Sequence, residues 1–211
     1  MIILSHRGYW KEVSEKNTAV AFERSFSLGF GTETDVRDLN GELVISHDPP
    51  VGDCFSVDNL FEIYTSFDTD LYLALNIKAD GLQEKLQQKL KHYGISNYFV
   101  FDMSVPDALG YFKNGLKAFT RQSEYETIPS FYERAEGVWL DEFHSHWIDR
   151  DLLASHLQSG KKVCIVSPDL HGREYLVEWQ DYKNILADSG RGDIMLCTDY
   201  PETAKEFFYG N

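Results

Sequence analysis

A chain of 211 residues with 43% hydrophobic residues can bury a full core, and one domain spanning 1–211 is the expectation. The 34 acidic residues outnumber the 20 basic ones and give a formal net charge of −14, which argues against nucleic acid and anionic membrane surfaces as partners, because both attract basic patches. A small anion held in a local basic pocket stays compatible with that charge.

Cys54, Cys164 and Cys197 form no CxxC pair, and the last two sit in apolar runs, so buried thiols and a reducing, cytoplasmic setting are expected. The apolar start Met1-Ile2-Ile3-Leu4 is too short for a signal peptide, and no apolar run reaches transmembrane length, so no integral membrane segment is expected.

In chain order, Ile2 to Leu4 predicts a first strand. Asn17 predicts a helix cap, followed by Phe22, Phe26 and Gly29 at helical spacing. Gly31 to Val36 predicts the second strand, with Leu43 to Ser46 as a short companion. Leu71 to Lys78 predicts the third, then Leu82, Leu86 and Leu90 mark a helix closed by Gly94. Tyr98 to Phe101, Leu116 to Thr120, Gly137 to Leu140, Lys162 to Val166 and Ile194 to Cys197 predict strands four to eight. Eight strands alternating with helical segments imply right-handed crossovers and a compact (β/α)8, or TIM, barrel. A doubly wound open sheet is the alternative, but no glycine-rich phosphate loop follows the first strand.

Side chains alternate along a strand. Leu71, Leu73, Leu75 and Ile77 therefore face the helices, and Tyr72, Ala74, Asn76 and Lys78 face inward. Glu33 and Asp35 share one face of the second strand, as do Trp139 and Asp141 on the sixth. Polar groups thus collect at strand C-terminal ends, where β/α barrels build their sites. Glu33 with Asp35 is a compact oxygen pair for Mg²⁺ or Ca²⁺, or else a salt-bridged pair at a strand end. His6 and His47 can exchange protons near neutral pH, and Arg7 can clamp an anion. Arg121, just past the fifth strand, is a second candidate phosphate contact. Trp139 either walls the pocket or fills a barrel layer. The run Asp141-Glu142-Phe143-His144-Ser145-His146 has some metal-site character, but no Cys or distant His completes a zinc set, and a polar surface loop is the better reading.

His6-Arg7-Gly8, Asn17-Thr18 with Ala21-Phe22, Glu33-Thr34-Asp35-Val36, then Gly41 and Val44-Ile45-Ser46-His47-Asp48 resemble the glycerophosphodiester phosphodiesterase family of the phospholipase C-like superfamily. Leu75 to Lys78 is similar to the family's third-strand segment and Cys197-Thr198-Asp199-Tyr200-Pro201 to its closing motif; the middle of the chain matches only loosely. The resemblance implies a β/α barrel, a divalent cation as cofactor and a small-molecule phosphodiester as substrate. It implies His6 and His47 as the acid/base pair, Arg7 and Lys78 at the phosphate, Asn17 as the family's asparagine, and Glu33 and Asp35 as metal ligands. Attack comes either from the substrate's neighbouring hydroxyl or from water.

Four positions depart from the family pattern. Asn76 stands where a third metal-ligand carboxylate is usual, which predicts weaker cation binding; Asp102, Asp141 or Glu142 are candidates to replace the missing charge. Lys16 replaces a Glu before Asn17. Ser167-Pro168-Asp169-Leu170 replaces a Trp-Thr segment. Pro49 to Leu60 is too short for the usual insertion. The competing functional expectation is a catalytically weak or inactive phosphate-binding relative. A lyase working on lipids would want an exposed apolar or basic loop, and none is evident. The oligomeric state is open at this level.

Overall fold

The computed structural model describes residues 1–67, 70–189 and 194–210. The first strand, β1, is Ile2–His6, followed by α1 (Ala19–Ser27), β2 (Gly31–Leu39), β3 (Glu42–Ile45) and α2 (Val57–Ser66). Then come β4 (Leu73–Ile77), α3 (Gln83–His92), β5 (Tyr98–Phe101), α4 (Val105–Lys113), β6 (Phe119–Ser123) and β7 (Gly137–Asp141). The chain ends with α5 (Arg150–Gln158), β8 (Lys162–Val166), α6 (Leu176–Ser189), β9 (Ile194–Thr198) and α7 (Pro201–Tyr209). The strand order is β5-β4-β2-β1-β9-β8-β7-β6, with β3 attached to β2 alone. Apart from β3, the strands follow one another in chain order, with β9 beside β1 and with β5 and β6 at the two ends of the order, which is the strand order of the expected (β/α)8 fold class.

Two compact units are distinguished, Ser5–Ala118 and Met1–Leu4 with Phe119–Asn211. In the first, β2 pairs in parallel with β4 and β4 with β5, while β3 returns antiparallel to β2. That return turns on Asn40-Gly41, both at positive φ (51° and 86°), a conformation that Asn and Gly adopt most readily. The parity argument holds on β4. Leu73, Leu75 and Ile77 join Phe61, Leu86 and Leu90 in one buried apolar cluster. Burial of such side chains, each contributing about 1.5–3 kcal/mol, is what fixes α2 and α3 against the strands. Ser56 caps α2, its hydroxyl accepting from the Asn59 N–H at 3.0 Å. Gly94, at φ +66°, lies just past the end of α3 as predicted.

In the second unit, β6, β7, β8 and β9 pair in parallel in that order. The predicted fifth strand lies three residues further along, at Phe119–Ser123, and Leu116 is instead part of the buried apolar cluster of Ser5–Ala118. Trp179 of α6 is fully buried, meets Phe207 of α7 edge-on and Phe208 at a tilt, and donates its indole N–H to Ser167 Oγ at 2.8 Å. Cys164 and Cys197 are buried free thiols, as expected, and Cys54 is half-buried. No helix among the described residues is long and apolar enough to cross a membrane.

Candidate active site

Within Ser5–Ala118 the first turn after β1 sets the site. Arg7 and Gly8 are both left-handed, at φ 59° and 79°. A Cβ on Gly8 would lie 2.7 Å from Ala21 Cβ and 2.9 Å from the Ala21 carbonyl carbon, so only glycine passes beside α1. Two bonds fix the turn: Gly8 N–H donates to Thr32 Oγ1 at 3.0 Å, and Arg7 N–H donates to the Glu33 carbonyl at 2.9 Å. The turn therefore hangs on β2, and it carries His6 and Arg7 to the two carboxylates of that strand.

Asn17 is not the helix cap. The N-cap of α1 is Thr18, and Asn17 sits one residue earlier at φ +60°. Its side chain serves the site instead. Thr34 Oγ1 donates to Asn17 Oδ1 at 2.8 Å, which leaves the Asn17 amide to donate to Asp35 Oδ2 at 2.9 Å. In the sequence Thr34 appeared only inside the Glu33-Thr34-Asp35-Val36 motif, without a role of its own, and Thr32 not at all.

Glu33 and Asp35 are 2% and 1% exposed. Arg7 Nε lies 3.1 Å from Asp35 Oδ2, Lys78 Nζ 3.6 Å from Asp35 Oδ1, and His6 Nε2 3.9 Å from Glu33 Oε2. Asn76 is the register partner of Asp35 across β2 and β4. Burial, and then the neighbouring Asp35 charge, push the Glu33 carboxyl up to about 7. His6, Arg7, Asn17, Glu33, Asp35, Asn76 and Lys78 are thus gathered from the turn after β1, the loop before α1, the middle of β2 and the end of β4. His47 follows β3, whose Ile45 pairs with Val36, and the Ser46 N–H donates to the Asp35 carbonyl at 3.0 Å. Its ring is half-exposed and pairs with Asp48, Nδ1 to Oδ1 at 2.9 Å.

A cation fits this chemistry. Among the described residues, Glu33 Oε2, Asp35 Oδ1 and Asn76 Oδ1 are buried oxygens that no hydrogen-bond donor reaches. Buried acceptors are nearly always satisfied, so three from adjacent strands mark a place for a positive ligand. Lys16, at the position where a Glu was expected, is drawn off to Trp10, its ammonium 4.3 Å from the ring centroid.

The other unit holds the remaining predicted residues. Arg121 lies within β6 rather than past it, and its Nε is 3.3 Å from Glu126 Oε2, so its charge already has a carboxylate partner. Its register partner Trp139 is 5% exposed, which fits the barrel-layer role better than a pocket wall. Asp141 accepts from or pairs with His171 Nε2 at 2.6 Å, beneath Phe143. The Asp141–His146 run differs from a solvated loop at its start: Asp141 ends β7 and is buried, and Glu142 is fully buried. Its Oε1 accepts from the Trp147 and Ile148 N–H groups at 2.5 and 2.6 Å, and its Oε2 accepts from Tyr182 OH at 2.6 Å. Glu142, His146 and Glu178 bring ligand-type atoms within 4.8 Å of one another. Arg173, however, already pairs with Glu178 and donates to the Glu142 carbonyl at 2.7 Å. Burial, then the Glu142 charge, raise the Glu178 carboxyl. An internal guanidinium and the engagement of every Glu142 oxygen favour a structural clamp over an ion site here. His144 stays exposed and meets Tyr125, while Glu124 accepts from the N–H groups of residues 143–145.

The order of strands and the polar cluster at their C-terminal ends define a β/α barrel with a candidate cation and phosphate site. Among solved structures it is similar to a glycerophosphodiester phosphodiesterase from Agrobacterium tumefaciens str. C58, at 16% identity and TM-score 0.67, covering 99% of this chain and 98% of that one. It is equally similar to a phosphodiesterase from Oleispira antarctica solved with the product sn-glycerol-3-phosphate, at 16% identity and TM-score 0.67, covering 98% and 96%. A Ca²⁺-dependent phosphatidylinositol-specific phospholipase C from Streptomyces antibioticus is more distant, at 9% identity and TM-score 0.54, covering 100% and 97%. No protein-family profile and no curated protein matches the sequence. At these identities the similarity establishes the fold. A phosphoribosyl anthranilate isomerase from Thermus thermophilus matches at the same TM-score of 0.54, so the chemistry has to be argued from the site.

Proposed function

We propose that this chain is a divalent-cation-dependent phosphodiesterase acting on glycerophosphodiesters or related polyol- or sugar-linked diesters. The carrying observation is the set of buried oxygens on Glu33, Asp35 and Asn76 that no hydrogen-bond donor reaches, beside two cationic side chains, Arg7 and Lys78. The shared fold with glycerophosphodiester phosphodiesterases, one of them solved with sn-glycerol-3-phosphate, supports the same reading.

Glu33, Asp35 and Asn76 would hold Mg²⁺ or Ca²⁺, which when bound supplies charge neutralisation at the phosphoryl oxygens. Arg7 binds and orients the phosphate through its planar fork, which suits two oxygens at once. Lys78 adds a point charge on the same anion. Asn17 holds Asp35 in place, and so indirectly Arg7. His6 and His47 divide the proton transfers: one ring takes the proton of the attacking hydroxyl and the other gives one to the leaving alcohol oxygen. His47 is at the edge and half-exposed, which suits exchange with solvent. The net charge of −14 favours a water-soluble, deacylated diester over a lipid in an anionic bilayer.

The test is turnover of diesters carrying choline, ethanolamine, inositol and glycerol as head alcohols, with Mg²⁺, with Ca²⁺ and with EDTA. Cation-dependent release of a phosphomonoester or cyclic phosphate, reduced by about 10²-fold or more in His6→Ala and in His47→Ala, is expected. Phosphate binding without turnover of any diester would replace the enzyme with a phosphate-binding relative.

A further inference from the structure

Lys78 lies between two carboxylates. Its Nζ is 3.6 Å from Asp35 Oδ1 and 4.0 Å from Asp102 Oδ2. The Asp35 atom, with Glu33 Oε2 and Asn76 Oδ1, is one of this site's buried oxygens that no hydrogen-bond donor reaches. At 3.6 Å the ammonium is beyond hydrogen-bond range, yet close enough for attraction that water screens little at a group 1% exposed. The same lone pairs would face a divalent cation. A lysine and a dication cannot share them, because like charges at that separation repel strongly.

Asp102 is placed to relieve this conflict. It directly follows Phe101, the register partner of Asn76, so it is the first residue beyond the neutral Asn76 on the neighbouring strand. It holds φ +66°, a left-handed conformation that costs conformational energy in any residue but glycine. Arg7 and Asn17, the other left-handed non-glycine residues of this site, both serve Asp35, and Asp102 reaches it through Lys78. Its carboxylate is 14% exposed, and its Oδ2 lies 4.0 Å from the same ammonium. A small rotation of the lysine stem exchanges one carboxylate for the other without stranding a charge.

We propose that Asp102 is a positioning residue that receives Lys78 when a divalent cation takes Asp35, so that the charge missing at Asn76 is offset by a resting place for the competing ammonium and not by a third carboxylate ligand. This rests on Glu33, Asp35 and Asn76 being the cation ligands. Two consequences follow directly. Removing the Asp102 charge leaves Lys78 on Asp35 and opposes the cation. Removing the ammonium makes Asp102 irrelevant to cation affinity.

Calorimetric titration of the full chain with Mg²⁺ and with Ca²⁺ tests this in four proteins: wild type, Asp102→Asn, Lys78→Met and the double variant. The expected result is a Kd about tenfold weaker in Asp102→Asn, and a double variant within about twofold of Lys78→Met. An Asp102→Asn effect of equal size in both backgrounds would make Asp102 a ligand or a distant charge and overturn the proposal, as would an unchanged Kd in the single variant. Asp102→Gly, which removes the carboxylate and suits the positive φ, replaces Asp102→Asn if the latter does not fold. Failure of the wild type to bind either cation would overturn the ligand set and this proposal together, whereas binding without the Lys78-dependent pattern would overturn this proposal alone.

Discussion

Asp35 and Asn76 are register partners on β2 and β4, and each carries a buried Oδ1 that, among the described residues, no hydrogen-bond donor reaches. Glu33 Oε2, two residues back on β2, completes the set. The neutral amide of Asn76 brings an oxygen to this place without a charge. Charge count governs affinity for hard cations, so Asn76→Glu or Asn76→Asp is expected to tighten Mg²⁺ or Ca²⁺ binding by about tenfold or more. Without a cation, a third buried carboxylate beside Glu33 and Asp35 adds like-charge repulsion and lowers the melting temperature. Calorimetric titration and melting with and without cation measure both effects. Unchanged affinity in both variants would remove residue 76 from the ligand set.

Much of this site was legible in the sequence, for a physical reason. On a strand the side-chain period is two, so Glu33 with Asp35, and Asn76 with Lys78, must share faces wherever the strand forms. Strand parity therefore paired these four residues without reference to tertiary structure. Less legible were contacts made by side chains arriving from loops. Asn17 looked like a helix cap because cap and site residue draw on the same chemistry, a short side chain that bonds backbone or neighbour. The Thr18 cap position and the Thr34 bond decide between them. Arg121 was misplaced by a three-residue shift of β6, and its pairing with Glu126 depends on the loop after that strand. Glu142 looked like part of a solvated loop because burial of one carboxylate by Tyr182 of α6, 40 residues on, leaves no local pattern.

The raised Glu33 carboxyl carries a stability signature in cation-free protein. Its pKa is about 7 in the fold against 4.5 in the unfolded chain, because burial first, and Asp35 second, disfavour the charge. Below 4.5 the group is protonated in both states, and its contribution to stability is fully present. As pH rises from 4.5 to 7 the unfolded chain releases the proton and the fold retains it, so stability falls. The loss at this one site reaches roughly 3 kcal/mol above pH 7. Urea unfolding in EDTA across that range should show the decline, and Glu33→Gln should flatten it. An identical slope in the variant would locate the effect elsewhere.

Gly8 tests the scaffold of the same site without touching its charges. At φ +79° a Cβ is strained, and here it would also meet Ala21 of α1 at 2.7 Å. The obstruction includes the backbone carbon of Ala21, so no rotamer change relieves it. Gly8→Ala is expected to cost about 3 kcal/mol, lowering the melting temperature by roughly 10 °C in a domain of this size. It should also displace Arg7 from Asp35 and weaken phosphate binding. A melting temperature within about 1 °C of wild type would contradict the close approach of this turn to α1.

The Glu142 group yields a prediction that separates a clamp from an ion site. Glu142 is fully buried and receives the Trp147 and Ile148 N–H groups and the Tyr182 hydroxyl. Glu142→Ala strands all three donors, and buried unsatisfied donors cost about 1–3 kcal/mol each, so a loss of several kcal/mol is expected. His146 is more exposed, and its ring meets Glu142, Glu178 and Asp181 at 3.1–3.7 Å. His146→Ala leaves Arg173 to balance the carboxylates and is expected to cost less than about 1 kcal/mol. An ion held by Glu142, His146 and Glu178 would make the two variants comparably damaging, since each removes one ligand of three. It would also leave bound metal in the dialysed protein beyond the amount that Asp35→Asn removes. Chemical denaturation of both variants, with elemental analysis of the wild type and Asp35→Asn, decides between the two. A large gap between Glu142→Ala and His146→Ala, with no such residual metal, establishes the clamp.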